Sequence, residues 1–215
     1  MRLLVVLLAG FITNAALAAQ DEQPHRNERD YIIEVLIFEQ QPGAKATELP
    51  GRPQEYLPPE GAALKIGPAP AWTQLGATGP LYKPQEVQLV REATALENSK
   101  DYRLLFHEAW RMRLVSEANS IPLLIEGGDY YAAMPELQGK LKLSVARYLH
   151  LETDLFLNSF EPLAAVSEDS RVAEGNYLVK SSAGMHQRRR MKSGDLHFID
   201  SPYLGLLIKI DRAPD

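Results

Sequence analysis

The chain contains no cysteine, and this absence excludes several kinds of chemistry at once. Without thiols there is no disulfide framework, no thiol nucleophile, no Cys-ligated metal centre and no lipid anchor on cysteine. An excess of positive charge is also missing, because 23 Lys and Arg stand against 28 Asp and Glu in 215 residues. The resulting net charge of −5 argues against a dedicated nucleic-acid-binding protein.

The common catalytic motifs are absent as well. The chain has no G-x-S-x-G, S-x-x-K, H-E-x-x-H, Walker or G-x-G-x-x-G pattern, which removes the usual signatures of serine acyl-enzymes, zinc peptidases and nucleotide-binding enzymes. We therefore expect a protein that is not an enzyme and that uses neither a cofactor nor a metal.

The one strongly hydrophobic run lies at the N-terminus. Arg2 precedes an apolar run over 3–12, and Ala16-Leu17-Ala18 forms a small-x-small cleavage pattern. About ten apolar residues are too few to span a bilayer, which needs about 20. The pattern predicts a cleavable signal peptide over 1–18, followed by a flexible leader over 19–30. We expect an exported protein without a membrane span, located in the periplasm if the cell has two membranes.

Residues 31–215 are predicted to form a single domain. The run 31–39 is apolar at nearly every position, which is typical of a central strand covered on both faces. Residues 40–83 contain eight prolines and form either an ordered coil around the core or a surface for a partner. The segment 84–98 predicts a helix with one apolar stripe.

The other segments alternate between apolar and polar residues, as half-buried strands do. Leu and Val occupy odd positions throughout 140–158, which is one bent strand or two in succession. Ser193-Gly194-Asp195 separates two strand-like runs and predicts a hairpin. Together the elements indicate an α+β fold, with a largely antiparallel β-sheet of six to seven strands and one main helix packed on one face. The remaining strands are predicted over 102–113, 122–126, 177–180, 186–192, 196–200 and 203–211.

Arg188-Arg189-Arg190 with Lys192 is the one dense basic cluster of the sequence. It is either a strand edge that charge keeps soluble or a surface that binds carboxylates, to which guanidinium groups bind bidentately. If the pleats of neighbouring strands align, further polar residues share this face, and aromatic rings beside it can stack on sugars. The candidate binding residues are Arg103, His107, Trp110, Arg111, Tyr148, His150, Arg188 and Arg190. We expect an anionic partner in the cell envelope.

Glu108 and Arg147 interrupt otherwise apolar rows of their strands. Since a buried charge is tolerated when it is paired, we expect a structural ion pair between them.

The histidines suggest an alternative function. His107, His150 and His197, each near a carboxylate, are candidate zinc ligands of a cell-wall hydrolase, although zinc hydrolases usually offer a close-spaced pair.

Three segments of the chain resemble the CsiV family of periplasmic peptidoglycan-binding, cell-shape-integrity proteins. They are 106–111 (FHEAWR), 143–157 (LSVARYLHLETDLFL) and 189–207 (RRMKSGDLHFIDSPYLGLL). The likeness leaves out the proline-rich stretch and the loop after Asn158. The chain has Ser201 where the family has His and lacks a Trp near Phe156, which weakens a binding role for position 201.

The resemblance implies a non-enzymatic peptidoglycan-binding protein that supports peptidoglycan synthesis. It also implies two protein partners, a class A penicillin-binding synthase and the outer-membrane lipoprotein that activates it. The resemblance supplies no catalytic residues. Besides the zinc-dependent hydrolase, an envelope adaptor that contacts proteins through 40–83 without binding glycan remains an alternative.

Overall fold

The computed structural model describes residues 28–40, 64–66, 83–131, 134–162 and 177–214. The predicted signal peptide 1–18, most of the leader and most of the proline-rich stretch lie outside these ranges. The described residues form β1 (Arg29–Gln40), β2 (Leu64–Ile66), β3 (Lys83–Pro84), α1 (Val90–Glu97), β4 (Tyr102–Leu114), β5 (Pro122–Tyr131), β6 (Met134–Val145), β7 (Leu149–Pro162), β8 (Tyr177–Met191), β9 (Leu196–Asp200) and β10 (Leu204–Arg212).

The strands belong to two sheets of five strands each. Sheet A has the order β3-β4-β1-β10-β9, and sheet B has the order β2-β5-β6-β7-β8. All the pairs are antiparallel except β2 with β5. The predicted α+β class with a largely antiparallel arrangement and one helix is confirmed, with more strands than expected and a division into two layers. Within the described residues, no helix has the length and apolar character needed to span a bilayer.

The inner faces of the two sheets share one hydrophobic core. Ile33, Val35 and Ile37 of β1 are fully buried in it, together with Leu141 of β6 and Leu155 of β7. The members from each strand sit two residues apart because successive side chains point to opposite faces of a sheet. Burial of these apolar side chains provides the main driving force for packing sheet A on sheet B.

The other face of β1 is covered by α1. Leu36 and Phe38 pack there against Leu89, Ala93 and Leu96. Strand β1 is therefore buried on both faces at the centre of sheet A, as its nearly continuous apolar sequence predicts. The described residues place no helix on the outer face of sheet B.

The segment 140–158 turns out to be most of a hairpin. Strand β6 ends at Val145, a bend follows over 146–148, and Val145 pairs with Leu149 at the start of β7. A connection of three residues preserves the odd and even positions, so the period of two continues through the turn. Odd residues of both strands thus face the core, and even residues face outwards.

The hairpin predicted around Ser193-Gly194-Asp195 is wrong. Strand β8 belongs to sheet B, whereas β9 pairs with β10 in sheet A. The turn carries the chain from one sheet to the other, with Gly194 at a φ of 90° and its N–H donated to the carbonyl of Ile210. Glycine adopts this left-handed backbone without a steric penalty. Two strands predicted before the turn, 177–180 and 186–192, are one strand, β8.

A buried carboxylate anchors α1 to sheet A. Glu34 lies on β1, is 4% exposed and accepts hydrogen bonds from the N–H groups of Gln88 and Leu89 at 2.8–2.9 Å. Its Oε1 also lies 2.8 Å from Nε2 of His107 on β4. Helix α1 begins at Val90, after these anchored residues and later than the predicted Pro84, since Pro84 belongs to β3.

Burial raises the pKa of Glu34, but the hydrogen bonds from His107, Leu89 and Gln88 outweigh this effect, so the pKa lies below its ordinary value of 4.5. A carboxylate with a lowered pKa in the folded state stabilises the fold above pH 4.5 and loses this contribution as the pH falls through the folded-state pKa. The charged form of Glu34 therefore holds the helix in place.

We expect Glu34→Gln to lower the free energy of unfolding by about 2 kcal/mol at neutral pH, because hydrogen bonds to a charged, buried acceptor are lost. The difference in unfolding free energy between wild type and variant should become smaller below pH 4.5. Denaturant unfolding at a series of pH values measures both effects. Glu97→Gln, on the exposed side of α1, is the matched control and should leave stability unchanged. A constant difference across the pH range would contradict the anchoring role of the charge.

Candidate functional site

The polar face predicted to combine seven of the eight candidate binding residues, all except Trp110, is divided between the two sheets. Arg103, His107 and Arg111 lie on β4 in sheet A, whereas His150 lies on β7 and the basic cluster on β8 in sheet B. The inner faces of the sheets pack on each other, so their outer faces point away from each other. The sequence cannot show this division, because alternation assigns a side of a strand but no sheet.

On sheet A the predicted binding residues have partners within the fold. His107 contacts Glu34, and Arg111 donates from Nε to Oδ2 of Asp30 at 3.0 Å. Trp110 is fully buried and donates its indole N–H to Sδ of Met112 at 3.2 Å. Its candidate role in stacking on sugar rings is therefore wrong, because it faces the shared core with Phe106, Met112 and Leu114.

Arg103 joins the two sheets at one end of the core. Its Nη2 lies 2.8 Å from Glu39 on β1 of sheet A, and its Nη1 lies 2.7 Å from Glu136 on β6 of sheet B. The hydrogen bond to Glu136 is the main reason why the pKa of Arg103 is raised above its ordinary value. A β-bulge at Leu105, which is left without a partner on β1, places Arg103 in this position.

The predicted ion pair between Glu108 and Arg147 is not among the ion pairs of the described residues. Arg147 is exposed in the bend over 146–148, with its guanidinium 5.6 Å from the ring centre of Tyr148. The alternation rule does not apply to a residue outside a strand, which is why the expectation fails. Glu108 is half-buried, and burial raises its pKa.

The three histidines considered as zinc ligands lie apart. His107 is bonded to Glu34 in sheet A, His150 lies on the outer face of sheet B, and His197 approaches the backbone of Lys192 from β9. In the parts of the chain that the structure describes, no group of three His, Asp or Glu side chains is arranged to hold a metal. The structure does not bring these histidines together.

A well-formed concavity lies on the outer face of sheet B, and we call it the sheet B groove. It has a volume of about 540 Å³ and crosses strands β5 to β8 below the loop that joins β4 to β5. Its lining residues are Ser120, Pro122, Lys140, Lys142, Glu152, Thr153, Asp154, His186, Gln187 and Arg188.

Strand register builds the groove from two charged rows. Lys142, Glu152 and Arg188 lie opposite one another on β6, β7 and β8, about 4.8 Å apart from strand to strand. Two residues further along each strand, Lys140, Asp154 and His186 form the second row. Each row thus has a carboxylate on the middle strand with basic side chains on both sides.

Most of these charges are paired within the groove. Arg188 Nη2 lies 2.6 Å from Glu152 and 3.4 Å from Glu117 in the loop above. Asp154 lies 3.1 Å from Nζ of Lys140 and 2.8 Å from Nδ1 of His186. The side chain of Arg188 is 73% exposed, so its pairs are open to water.

Beyond the groove, the same face continues with His150 and Arg190, which are register partners. The guanidinium of Arg190 lies 4.7 Å from the ring centre of Tyr148, a cation–π distance. The sequence prediction that Arg188, Arg190, His150 and Tyr148 lie near one another is consistent with this arrangement.

Lys140, Lys142, Glu152 and His186 are not among the site residues predicted from the sequence. A usable signal was present, because the first three occupy even positions in a segment whose odd positions are mostly apolar. Their outward direction follows from that alternation. Their mutual proximity depends on strand order and register, which the sequence alone does not reveal.

We expect Arg103→Met to lower the free energy of unfolding by about 1–2 kcal/mol, since it leaves the buried carboxylate of Glu136 without its cation while part of the network stays open to water. Arg103→Met/Glu136→Gln should recover part of this loss, because the unpaired charge is removed. Denaturant unfolding of wild type, Arg103→Met, Glu136→Gln and the double variant measures the coupling. If the loss of unfolding free energy in the double variant equals the sum of the losses in the two single variants, the link between the sheets does not depend on this pair.

Comparison with known proteins assigns the chain to a family. The model of the CsiV family, described as peptidoglycan-binding protein, matches residues 71–213, which is more than half of the 215 residues. The chain therefore belongs to the CsiV family of peptidoglycan-binding proteins, as its resemblance indicates. No curated protein and no solved structure matches the chain.

Proposed function

We propose that this member of the CsiV family binds peptidoglycan in the periplasm through the outer face of sheet B. The observation that carries the proposal is the sheet B groove, a charged concavity on the sheet face that no described helix covers. The family supplies the polymer, and the groove supplies a surface with suitable chemistry. The candidate contact residues on this face are Arg188, Arg190, His150 and Tyr148, together with the lining residues of the groove.

Peptidoglycan is a suitable ligand for such a surface because its peptides carry carboxylates. Guanidinium groups bind carboxylates with two parallel hydrogen bonds, and charge-assisted hydrogen bonds are stronger than neutral ones. Arg188 and Arg190 lie two residues apart on the edge strand β8 and face the same side. They can therefore bind successive anionic groups of an extended polymer.

The wider role that we propose is support of peptidoglycan synthesis and cell-shape integrity without catalysis. It is supported by the family resemblance and by the signal-peptide pattern over 1–18, which predicts export to the compartment that contains the polymer. In this proposal the protein assists a class A penicillin-binding synthase together with the outer-membrane lipoprotein activator of that synthase. Its contribution is to bind wall material and to contact these proteins.

Sedimentation with isolated sacculi tests the binding surface. We expect the wild-type protein to sediment with sacculi and Arg188→Glu/Arg190→Glu to bind at least about tenfold more weakly, because each charged hydrogen bond contributes about 1.5–3 kcal/mol and 1.4 kcal/mol corresponds to a factor of ten.

Arg91→Glu/Arg113→Glu is the matched control. It makes the same change of charge at exposed positions on α1 and β4, on the side of the molecule that carries the helix. It should sediment like wild type. Equal loss in both double variants would indicate a general charge effect, and wild-type binding by Arg188→Glu/Arg190→Glu would move the contact to another surface. Absence of wild-type sedimentation would favour the adaptor alternative.

A further inference from the structure

We infer that the sheet B groove recognises the peptide stems of peptidoglycan through their carboxylates, with the ammonium group of Lys142 receiving one of them. The inference rests on the proposed function and specifies which part of the polymer is bound. Three observations support it: the charge of the lining residues, the pairing of those charges, and the kind of side chain that the lining lacks.

The lining carries more permanent positive than negative charge. Lys140, Lys142 and Arg188 are cations, whereas Glu152 and Asp154 are the carboxylates. A concave surface with one excess sign of charge concentrates ligands of the opposite sign. The lining therefore favours an anion near Lys142, although Glu117 in the loop above also pairs with Arg188 and the protein as a whole has a net charge of −5.

The pairing identifies which cation is available. Glu152 is the register partner of Lys142 on β7, but its carboxylate lies 2.6 Å from Arg188 on the opposite side. Asp154 is bonded by Lys140 and His186. Among the ion pairs of the described residues, Lys142 has no partner. Lys142 is half-buried and lines the groove, so its ammonium group can bind a carboxylate from outside.

Among the described residues that line the groove there is no Phe, Tyr or Trp, and the ring of Phe156 lies 5.0 Å from that of His186 at its border. Aromatic rings offer large apolar faces, and sugar rings pack against such faces. In intact peptidoglycan the carboxyl group of muramic acid forms the amide bond to the peptide, so the free carboxylates belong to the peptides. A groove lined mainly by charged side chains thus suits the stem better than the glycan strand.

Competition against sacculi tests the inference. The probes are a soluble stem tetrapeptide with free carboxylates, the same peptide with its carboxyl groups amidated, and a tetrasaccharide of N-acetylglucosamine. We expect the free peptide to displace wild-type protein from sacculi, the amidated peptide to be about tenfold weaker, and the tetrasaccharide to have no effect. Displacement by the free peptide should weaken as salt is added, since exposed charges are screened.

Variants of Lys142 test whether the free peptide binds in the groove. Lys142→Ala should lower the affinity for the free peptide about tenfold in calorimetric titration, and Lys142→Arg should retain most of it because the charge is kept. Lys100→Ala, at an exposed position just after α1, is the matched control and should bind like wild type. Thermal unfolding should give the same midpoint for the three variants, since each change is at the surface.

Three results would each overturn the inference: displacement by the tetrasaccharide, equal binding of the amidated peptide, or unchanged peptide affinity in Lys142→Ala. If one of these three results is obtained while wild-type protein still sediments with sacculi, the proposed function stands. In that case only the inference that the groove recognises the peptide stem is wrong. If wild-type protein does not sediment at all, the proposed function is wrong as well.

Discussion

The packing of the inner faces of the two sheets decides which side chains of this protein are available for binding. Along β6 and β7 the odd residues enter the shared core, so the even residues must face outwards. A slip of one residue in register would exchange the two sets, moving Lys142 and Glu152 into the core and leucines into water. Packing of the hydrophobic core thus determines the strand register, and the register determines which charged residues line the groove.

The two sheets differ in what covers their outer faces. On sheet A, α1 packs on Leu36 and Phe38, and the carboxylate of Glu34 binds the backbone at the start of the helix. Polar residues of β4 that face this side, such as His107, consequently serve the fold. Sheet B has no such helix within the described residues, and its outward side chains line a groove. The same alternation of polar residues therefore has a structural role in one sheet and a candidate binding role in the other.

Much of the local structure could be predicted from residue patterns. The apolar run of β1, interrupted only by Glu34, correctly indicated a strand buried on both faces. The period of two over 140–158 correctly identified the core side of two strands. Assignment of strands to sheets could not be predicted, because packing between distant segments determines it. The turn around Gly194 illustrates this limit, since a hairpin and a passage between sheets need similar residues. Trp110 shows a related limit, because a large aromatic side chain suits a core as well as a sugar-binding surface.

Burial separates the structural charges from the functional candidates more clearly than residue type does. Arg103 and Arg188 both bind a glutamate at 2.6–2.7 Å. Glu136 is buried, so removal of its partner leaves a charge that water reaches poorly, which makes the Arg103 pair costly to break. The Arg188 pair is exposed, and such pairs contribute between about 0 and 1 kcal/mol. In the proposed function, an incoming carboxylate replaces Glu152 beside Arg188, or binds Lys142 next to it, at little cost in stability. The proposed binding surface consists of exposed, weakly coupled pairs, so it would accept an anionic polymer and release it again without disturbing the two-sheet core beneath it.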